Sequence, residues 1–312
     1  MDLTVLGGPA HPLLARAVAD HLGVPLGACE LQRFPDGELH VDIEESVRGH
    51  DVYIVQPTSP PVEEHLLALL LMADACRRAG AARLTAVVPY FGYARQDRRA
   101  RGREPVAARL VADLMRASGL QRVVAVDLHS STLEGFFGVP LEHLSAVPLL
   151  AAAVQPLVEA QTVVVAPDLG AAKLADRYAR LLGLPVVVVH KVRLTGQDVS
   201  VRAVTGRVDG KRPLIVDDMI STAGTVEAAL EAVLAEGARP EPLVVATHGL
   251  FVGPAAQRLP ALSARRVVTT DSVPPRPQPG VPLDVVTLGA LLATAIERLH
   301  HEQSLSELLV HA

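Results

Sequence analysis

The sequence is poor in the residues that mark several classes of protein. Only two cysteines, Cys29 and Cys76, occur among 312 residues, and their spacing fits neither a disulfide framework nor a zinc site. Tryptophan is absent and aromatic residues make up 3%, which disfavours a surface that stacks on nucleic-acid bases. The net charge of −5 gives no overall basic footprint for nucleic acid. We therefore expect a protein of a reducing compartment that does not bind nucleic acid.

Long hydrophobic runs are missing as well. The amino-terminal segment lacks a basic stretch followed by an apolar core, so no secretory signal is predicted. The longest apolar runs, such as Leu66–Ala73, are much shorter than the roughly 20 residues that a membrane helix needs. We therefore expect a cytoplasmic protein that makes no membrane contact.

The sequence does contain a regular alternation of two kinds of segment. Short runs rich in β-branched residues alternate with longer Ala- and Leu-rich segments of helical spacing, which predicts βαβ units and a mainly parallel sheet. The predicted strands are Leu3–Gly8 with its turn, Asp51–Gln56, Arg83–Pro89, Arg122–Asp127, Gln161–Ala166, Pro185–His190, Pro213–Asp218, Leu243–Thr247 and Val267–Thr270. The predicted helices are His11–His21, Val62–Ala79, Glu104–Ala117, Ala171–Leu182, Gly224–Glu236 and Leu288–Leu299.

The alternation starts a second time about halfway along the chain. The two sets of strands and helices meet near Ala146–Gln155, and a chain of 312 residues is long enough for about two domains. We therefore predict two α/β domains, residues 1–147 and 148–312, each with a mainly parallel sheet flanked by helices.

The segment LIVDDMISTAGTVEAA, Leu214–Ala229, joins a buried strand to a helix through two acids and a turn of small, hydroxylated residues. Backbone N–H groups at a helix amino terminus, together with Ser and Thr hydroxyls, suit a phosphate. Carboxylates before that turn can accept hydrogen bonds from sugar hydroxyls or hold Mg²⁺. An ordinary capped helix explains one acid but not two, so the segment predicts a ribose-phosphate site. Its candidate residues are Asp217, Asp218, Ser221, Thr222, Ala223, Gly224 and Thr225.

A second segment, VPYFGYARQDRRARGRE at Val88–Glu104, places clustered arginines directly after a predicted strand. Guanidinium groups offer fixed pairs of donors to phosphate oxygens, which suits a triphosphate. A solvated basic loop explains the same pattern equally well, so the spacing alone does not decide between the two.

Both segments resemble motifs of a known family. Leu214–Ala229 is similar to the phosphoribosyl-binding motif of type I phosphoribosyltransferases and phosphoribosyl pyrophosphate (PRPP) synthetases, and PYFGYARQDR is similar to a signature of the synthetases. The resemblance runs from about Leu3 to Leu305 with the motifs in the same order. It implies two phosphoribosyltransferase-like domains with the active site between them. It also implies transfer of the β,γ-diphosphoryl group of Mg-ATP to the C1 hydroxyl of ribose 5-phosphate.

The resemblance implies an ATP site in the first half of the chain. In that family the Arg-Gln pair of the signature contacts ATP, which here is Arg95 and Gln96. The segment VDLHSSTLEGFF, residues 126–137, matches a strand-ending DLH motif of the family, which implies that His129 contacts ATP or its metal. A lone histidine at a strand end is otherwise more often structural.

The segment RFPDGE, Arg33–Glu38, resembles the adenine-binding loop of the family. The resemblance implies that Phe34 stacks on the base and that Asp36 and Glu38 bind its amino group or nearby polar atoms. Without the resemblance, a PDG turn in a surface loop is the simpler interpretation.

The resemblance implies a Mg²⁺ site and a catalytic loop. His129 works in the family with the Asp of a PD-x-G motif, here Asp168. The segment HKVR resembles a flexible loop whose Lys and Arg close over the transferred group, which implies catalytic roles for Lys191 and Arg193. Two cations two positions apart in an extended segment face the same side and would both reach one phosphate. The alternative is a β-hairpin in which both cations are solvated.

The same resemblance implies ATP and ribose 5-phosphate as substrates, phosphate and ADP as effectors, and a homo-oligomer that is a hexamer of dimers. The chain departs from the family at Ser221, where many relatives carry an acid, and at Gly102 and Ser131-Thr132 in the regulatory region. These departures leave open a non-catalytic or regulatory paralogue. A phosphoribosyltransferase is a further alternative, but it would not need RFPDGE or PYFGYARQDR.

Overall fold

The protein is described here by a computed structural model that covers residues 1–193 and 200–310, with only the backbone for residues 191–193 and 200–202. The strands are β1 (Leu3–Gly7), β2 (Leu26–Gly27), β3 (Cys29–Arg33), β4 (Leu39–Ile43), β5 (Asp51–Val55), β6 (Arg83–Val88), β7 (Arg122–Val126), β8 (Leu141–Leu144), β9 (Thr162–Ala166), β10 (Val186–Arg193), β11 (Ser200–Thr205), β12 (Arg212–Ile220), β13 (Leu243–Gly249), β14 (Arg266–Thr270) and β15 (Leu283–Val286). The α-helices are α1 (Pro12–Leu22), α2 (Val62–Arg78), α3 (Ala107–Ala117), α4 (Val147–Val154), α5 (Ala172–Leu182), α6 (Gly224–Ala235), α7 (Ala255–Ala261) and α8 (Gly289–His300). Short 3₁₀ helices lie at Ser131–Phe136, Gln155–Leu157 and Ser306–Leu308.

The described chain divides into two compact units. Unit 1 comprises residues 1–145, 272–274 and 287–312, and unit 2 comprises residues 146–271 and 275–286. None of the helices in the described residues is long and apolar enough to cross a bilayer.

Unit 1 is built on a six-stranded sheet in the order β2-β1-β5-β6-β7-β8, in which every neighbouring pair is parallel. All five residues of β5 are buried, as expected for a parallel strand that is covered on both faces. A separate antiparallel hairpin, β3 with β4, packs against α2. At α1, His11 caps the amino terminus through its side chain, and Gly23 ends the helix with the left-handed φ of 68° that glycine tolerates best.

Unit 2 is built on a seven-stranded sheet in the order β11-β10-β9-β12-β13-β14-β15. Its neighbouring pairs are parallel except β10 with β11, which pair antiparallel. Strands β9 and β13 are buried along their whole length. The predicted fold class, two α/β units with mainly parallel sheets, is therefore confirmed.

Several element boundaries differ from the prediction for local reasons. The predicted helix Glu104–Ala117 begins only at Ala107, because the Glu104 carboxylate accepts hydrogen bonds from the N–H groups of Ala100 and Arg101, and Pro105 disfavours a helical conformation at Glu104. Strand β10 continues past His190 to Arg193 because it pairs with β11, a strand that the polar sequence did not indicate.

The predicted second domain, residues 148–312, differs from unit 2 at its carboxyl end. Helix α8 packs on α1 and belongs to unit 1. The reason is a set of contacts far apart along the chain: His300 Nδ1 lies 2.8 Å from Asp51 Oδ2, and the His300 carbonyl accepts a hydrogen bond of 3.1 Å from Arg83. A local sequence pattern does not contain this information.

Candidate active site

Loops at the carboxyl ends of parallel strands gather at one edge of each sheet, which is where ligands bind in open α/β folds. In unit 1 the loop after β6 carries Arg95 and Gln96, and the loop after β7 carries His129. All three side chains are exposed. The structure thus places these three predicted ATP residues on neighbouring loops of one unit, since β6 and β7 are adjacent strands.

The loop after β6 is held by Tyr93. Its backbone has a left-handed φ of 65°, its carbonyl accepts a hydrogen bond of 2.8 Å from Gln96 N–H, and its hydroxyl donates to Glu63 at 3.1 Å. Burial and this hydrogen bond raise the pKa of Tyr93, so the hydroxyl stays a donor. A cavity of about 160 Å³ lies beside these groups; its lining residues are Val62, Glu63, Tyr90, Tyr93, Ala94, Arg95 and Gln96.

The predicted adenine loop lies between β3 and β4. Phe34 is 49% exposed, and its ring centroid lies 5.2 Å from that of His40. The exposed Asp36 accepts a hydrogen bond of 3.1 Å from Glu38 N–H, which closes the turn at Gly37. An exposed aromatic ring at a hairpin tip suits stacking on a planar base. The structure also shows that the simpler interpretation, a PDG turn in a surface loop, is correct for the backbone.

In unit 2 the predicted ribose-phosphate residues lie in one continuous segment. Strand β12 continues to Ile220, so Asp217 and Asp218 lie within the strand and not at its end, where they were predicted. The reason is that Met219 and Ile220 still pair with β13.

The turn after β12 runs from Ser221 to Ala223, and α6 begins at Gly224. Ala223 has a left-handed φ of 61°. The N–H of Glu227 donates to the carbonyl of Ala223 and starts the helical ladder, so the preceding N–H groups of the turn have no acceptor within the helix. Ser221 is half-buried, while Thr222 and Thr225 are exposed. The turn therefore presents backbone donors and hydroxyls as an anion site requires.

The acids beside this turn form a cluster of like charge. Burial raises the pKa of Asp217 well above its ordinary value, and the negative charges of Asp218 and Asp168 raise it further. Asp168 is exposed after β9, where its Oδ1 accepts a hydrogen bond of 3.0 Å from Ala171 N–H. A divalent cation at this position would relieve the repulsion, because oxygen ligands are those Mg²⁺ prefers.

The predicted metal pair does not lie within one unit. His129 belongs to unit 1 and Asp168 to unit 2. In the described part of the chain, no three His, Cys, Asp or Glu side chains converge as a ready-made metal cage. Sites that bind Mg²⁺ through one or two carboxylates and substrate phosphates need no such cage.

The two predicted catalytic cations lie on β10. In the backbone register Lys191 is opposite Arg202 of β11 and Arg193 is opposite Ser200. Their side chains and residues 194–199, the centre of the predicted mobile loop, lie outside the described residues. The antiparallel pairing of β10 with β11 is the arrangement that the alternative hairpin interpretation requires. The catalytic role of both cations stays a prediction.

Sequence reasoning missed residues that support these loops. Arg258 donates from Nη1 to the Thr222 carbonyl at 3.3 Å and pairs through Nε with Glu227 at 3.0 Å. His143 accepts a hydrogen bond from Leu128 N–H in the loop that carries His129, and Glu134 contacts His143. The stretch Thr247–Ala255, which also resembles the family, ends three residues before Arg258 and was the available signal for it.

Comparisons with known proteins cover both units. The profile of the N-terminal domain of ribose phosphate pyrophosphokinase matches residues 3–119, and that of the phosphoribosyl transferase domain matches residues 149–274. A ribose-phosphate pyrophosphokinase of Staphylococcus saprophyticus is 42% identical over 302 residues, which is 95% of this chain and 93% of the relative. One of Bacillus subtilis is 40% identical over 308 residues, covering 98% and 97% of the two chains.

A solved structure is similar over nearly the whole length. The crystal structure of phosphoribosylpyrophosphate synthetase from Mycobacterium smegmatis matches with a TM-score of 0.89 and 38% identity, covering 97% of this chain and 100% of that chain. These matches confirm the resemblance that the motifs indicated.

Proposed function

This chain belongs to the ribose-phosphate pyrophosphokinase family, and we propose on that premise that it makes PRPP and AMP from ATP and ribose 5-phosphate. The C1 hydroxyl oxygen of the sugar forms a bond to the β-phosphorus of ATP and loses its proton to solvent. The bond between that phosphorus and the bridging oxygen of the α-phosphate breaks, and AMP leaves with this oxygen. The observation that best supports this proposal is the segment from Asp217 to Thr225, which combines a pair of acids with the amino terminus of a helix.

Ribose 5-phosphate binding is assigned to this segment. The N–H groups of the Ser221–Thr225 turn and its hydroxyls hold the 5-phosphate. Asp217 and Asp218, which Met219 and Ile220 separate from the turn, accept hydrogen bonds from the ribose hydroxyls. This places the sugar phosphate at the carboxyl edge of the unit 2 sheet.

ATP binding is assigned to loops of unit 1. Arg95 and Gln96 project into solvent beside the cavity at Tyr93, and a guanidinium binds phosphate oxygens through two donors. Phe34 stacks on adenine while Asp36 and Glu38 bind its polar atoms. His129 contacts ATP or the metal bound to it.

Mg²⁺ fits the acidic groups. In unit 2 burial and the negative charges of Asp218 and Asp168 raise the pKa of Asp217, and a bound cation would offset the repulsion between these charges. When bound, Mg²⁺ neutralises phosphate charge as the diphosphoryl group transfers. Asp168 would hold it with His129.

Lys191 and Arg193 are proposed as the catalytic cations. Diphosphoryl transfer depends on positioning and on stabilisation of charge that develops on the phosphate oxygens. Lys191 and Arg193, two positions apart on β10, supply the positive charge that offsets it. Each interaction that strengthens in the transition state raises kcat.

The assembly, the effectors and the location are proposed from the family. We propose a homo-oligomer, a hexamer of dimers, with phosphate and ADP as effectors and a cytoplasmic site of action.

The deciding experiment measures AMP formation from Mg-ATP with and without ribose 5-phosphate. We expect AMP to form only with the sugar phosphate and in equal amount to PRPP. No AMP from a folded enzyme at saturating substrates would point to a non-catalytic paralogue. Consumption of added PRPP with a nucleobase would point to a phosphoribosyltransferase. Chelation of the metal should stop the reaction, and Mg²⁺ should restore it.

A further inference from the structure

His143 on strand β8 bridges the two ends of the segment that carries His129. It lies at the edge strand of the unit 1 sheet and is 5% exposed. Its Nε2 accepts a hydrogen bond of 2.8 Å from the N–H of Leu128, immediately before His129. Its Nδ1 lies 2.9 Å from Oε1 of Glu134, in the 3₁₀ helix that follows His129.

These two contacts determine where the imidazole carries its proton. A backbone N–H can only donate, so Nε2 of His143 must be the unprotonated nitrogen. In the neutral ring the proton is then on Nδ1, which donates to the Glu134 carboxylate. Glu134 therefore selects the tautomer that can receive the Leu128 N–H.

The loop at residues 127–129, which His143 contacts, contains an unfavourable backbone conformation. Asp127 has a left-handed φ of 37°, a conformation that costs a non-glycine residue free energy unless its surroundings hold it. Ser145, two residues after His143, donates from its hydroxyl to Asp127 Oδ1 at 3.1 Å. The Asp127 N–H also donates to the Leu144 carbonyl at 3.0 Å. The segment 143–145 thus supports the loop at successive positions.

We propose that His143, with its tautomer fixed by Glu134, is a positioning residue for ATP binding: it holds the 127–129 loop so that His129 is presented to the nucleotide. This inference rests on the proposed function, in which His129 contacts ATP or its metal. It assigns His143 and Glu134 an indirect role, because His143 acts through the backbone N–H of Leu128 and Glu134 acts through His143. The plain alternative is a buried histidine that contributes only to the stability of unit 1.

The test compares His143→Leu with His143→Gln. Leucine fills the space but leaves the buried Leu128 N–H without an acceptor. Glutamine carries both an acceptor for Leu128 N–H and a donor for Glu134. We expect His143→Leu to raise KM for ATP about tenfold or more while KM for ribose 5-phosphate changes within about twofold, and we expect His143→Gln to recover most of the loss.

A control and a second variant keep the result interpretable. His50 also accepts or donates through a ring nitrogen, at 2.9 Å from Thr4 Oγ1, but lies before β5 at the amino edge of the sheet. His50→Leu should leave both KM values unchanged. If His143→Leu does not fold, Glu134→Leu decides, because the Glu134 side chain is 35% exposed and its loss leaves no core cavity. That variant should raise KM for ATP selectively by about threefold or more.

The outcomes separate this inference from the proposed function. A wild-type enzyme that forms no AMP refutes the proposed function before any variant is compared. An active wild type with an unchanged KM for ATP in folded His143→Leu, or in Glu134→Leu where that variant decides, overturns the positioning role alone. Equal rises in both KM values without recovery in His143→Gln would show that His143 is merely structural.

Discussion

At the scale of single residues, Asp217 has an environment that opposes its ionisation. Burial raises the pKa of its carboxyl group, and the charges of Asp218 and Asp168 add to the effect. Because the folded pKa lies above the unfolded value of about 3.9, the folded state binds more protons between the two. The stabilising contribution is fully present below the unfolded pKa and is lost as pH rises through the folded pKa. Above the unfolded pKa the carboxyl group of Asp217 therefore lowers the stability of the folded protein when no metal is bound.

Replacing Asp217 by Asn should consequently raise the melting temperature. Asparagine keeps the Oδ1 that accepts the hydrogen bond of 2.9 Å from Asp218 N–H but removes the charge. We expect Asp217→Asn to raise Tm at pH 8 without Mg²⁺, by about 2–4 °C for each kcal/mol gained, and to show no gain near pH 3. The enzyme should lose affinity for ribose 5-phosphate.

The matched control for this change is Asp284→Asn. Asp284 belongs to unit 2 as well, but it is exposed and paired with Arg266 at 3.4 Å. Removing its charge should not raise Tm at pH 8. A lower Tm for Asp217→Asn than for the wild type, measured by scanning calorimetry at pH 8 without metal, would contradict the electrostatic account.

How much of the site the sequence predicts depends on how far apart its parts lie in the chain. Asp217 and the turn at Ser221–Thr225 are contiguous, so a local pattern was enough to place them together. His143 reaches Leu128 across 15 residues, and Arg258 reaches Thr222 across 36. No local periodicity contains these contacts, because they depend on which strands become neighbours.

At the scale of elements, the phosphate turn between β12 and α6 is supported by the following βα connection. The N–H of Val252, after β13, donates to the Ser221 carbonyl at 2.9 Å. Arg258 of α7 donates to the Thr222 carbonyl, and a Cβ atom at Gly224 would lie 2.9 Å from its Nη1. These contacts hold the carbonyl groups of the turn on one side, which leaves its N–H groups for the phosphate.

Arg258→Gln should therefore raise KM for ribose 5-phosphate. The ion pair with Glu227 is half-exposed and worth at most about 1 kcal/mol, so we expect a rise of about threefold to fivefold, with KM for ATP unchanged. Initial rates at varied sugar phosphate and fixed, saturating ATP measure it.

Arg265→Gln is the control for that experiment. Arg265 pairs with Glu159 at similar exposure, 41% and 37% against 36% and 34% for Arg258 and Glu227, but precedes β14 at the amino edge of the sheet. It should change neither KM. If Arg258→Gln behaves like Arg265→Gln, the turn holds its conformation without α7.

Across the whole molecule, the sequence predicted the buried parallel strands well and the edges poorly. Strands β5 and β9, which are buried throughout, differ from their predictions by one residue at one end. The hairpin β3–β4 and the short edge strands β8 and β15 were missed, because their residues are largely half-buried or exposed and lack a long apolar run. The placement of α8 in unit 1 was missed because it depends on the contact between Asp51 and His300, which are far apart along the chain.

The carboxyl-terminal helix makes one further prediction about the molecule as a whole. Asp51 is 1% exposed and its Oδ2 meets both Arg83 Nη2, at 2.5 Å, and His300. Removing one partner of a buried ion pair leaves an uncompensated charge, so we expect Arg83→Met to destabilise unit 1 by about 3 kcal/mol. Native-state hydrogen exchange should then show faster exchange in β1, β5 and α8, while β9 and β13 keep their protection, because the contacts of Arg83 lie within unit 1.

The control for this prediction removes only the outer contact of Arg83. Glu302 lies 3.5 Å from Arg83 and its side chain is 83% exposed, so Glu302→Gln should cost no more than about 0.5 kcal/mol. Equal exchange rates in Arg83→Met and Glu302→Gln would mean that His300 alone compensates Asp51. A loss of protection in β9 and β13 as large as that in β5 would mean that the two units unfold together. In that case the exchange rates of α8 would not distinguish unit 1 from unit 2.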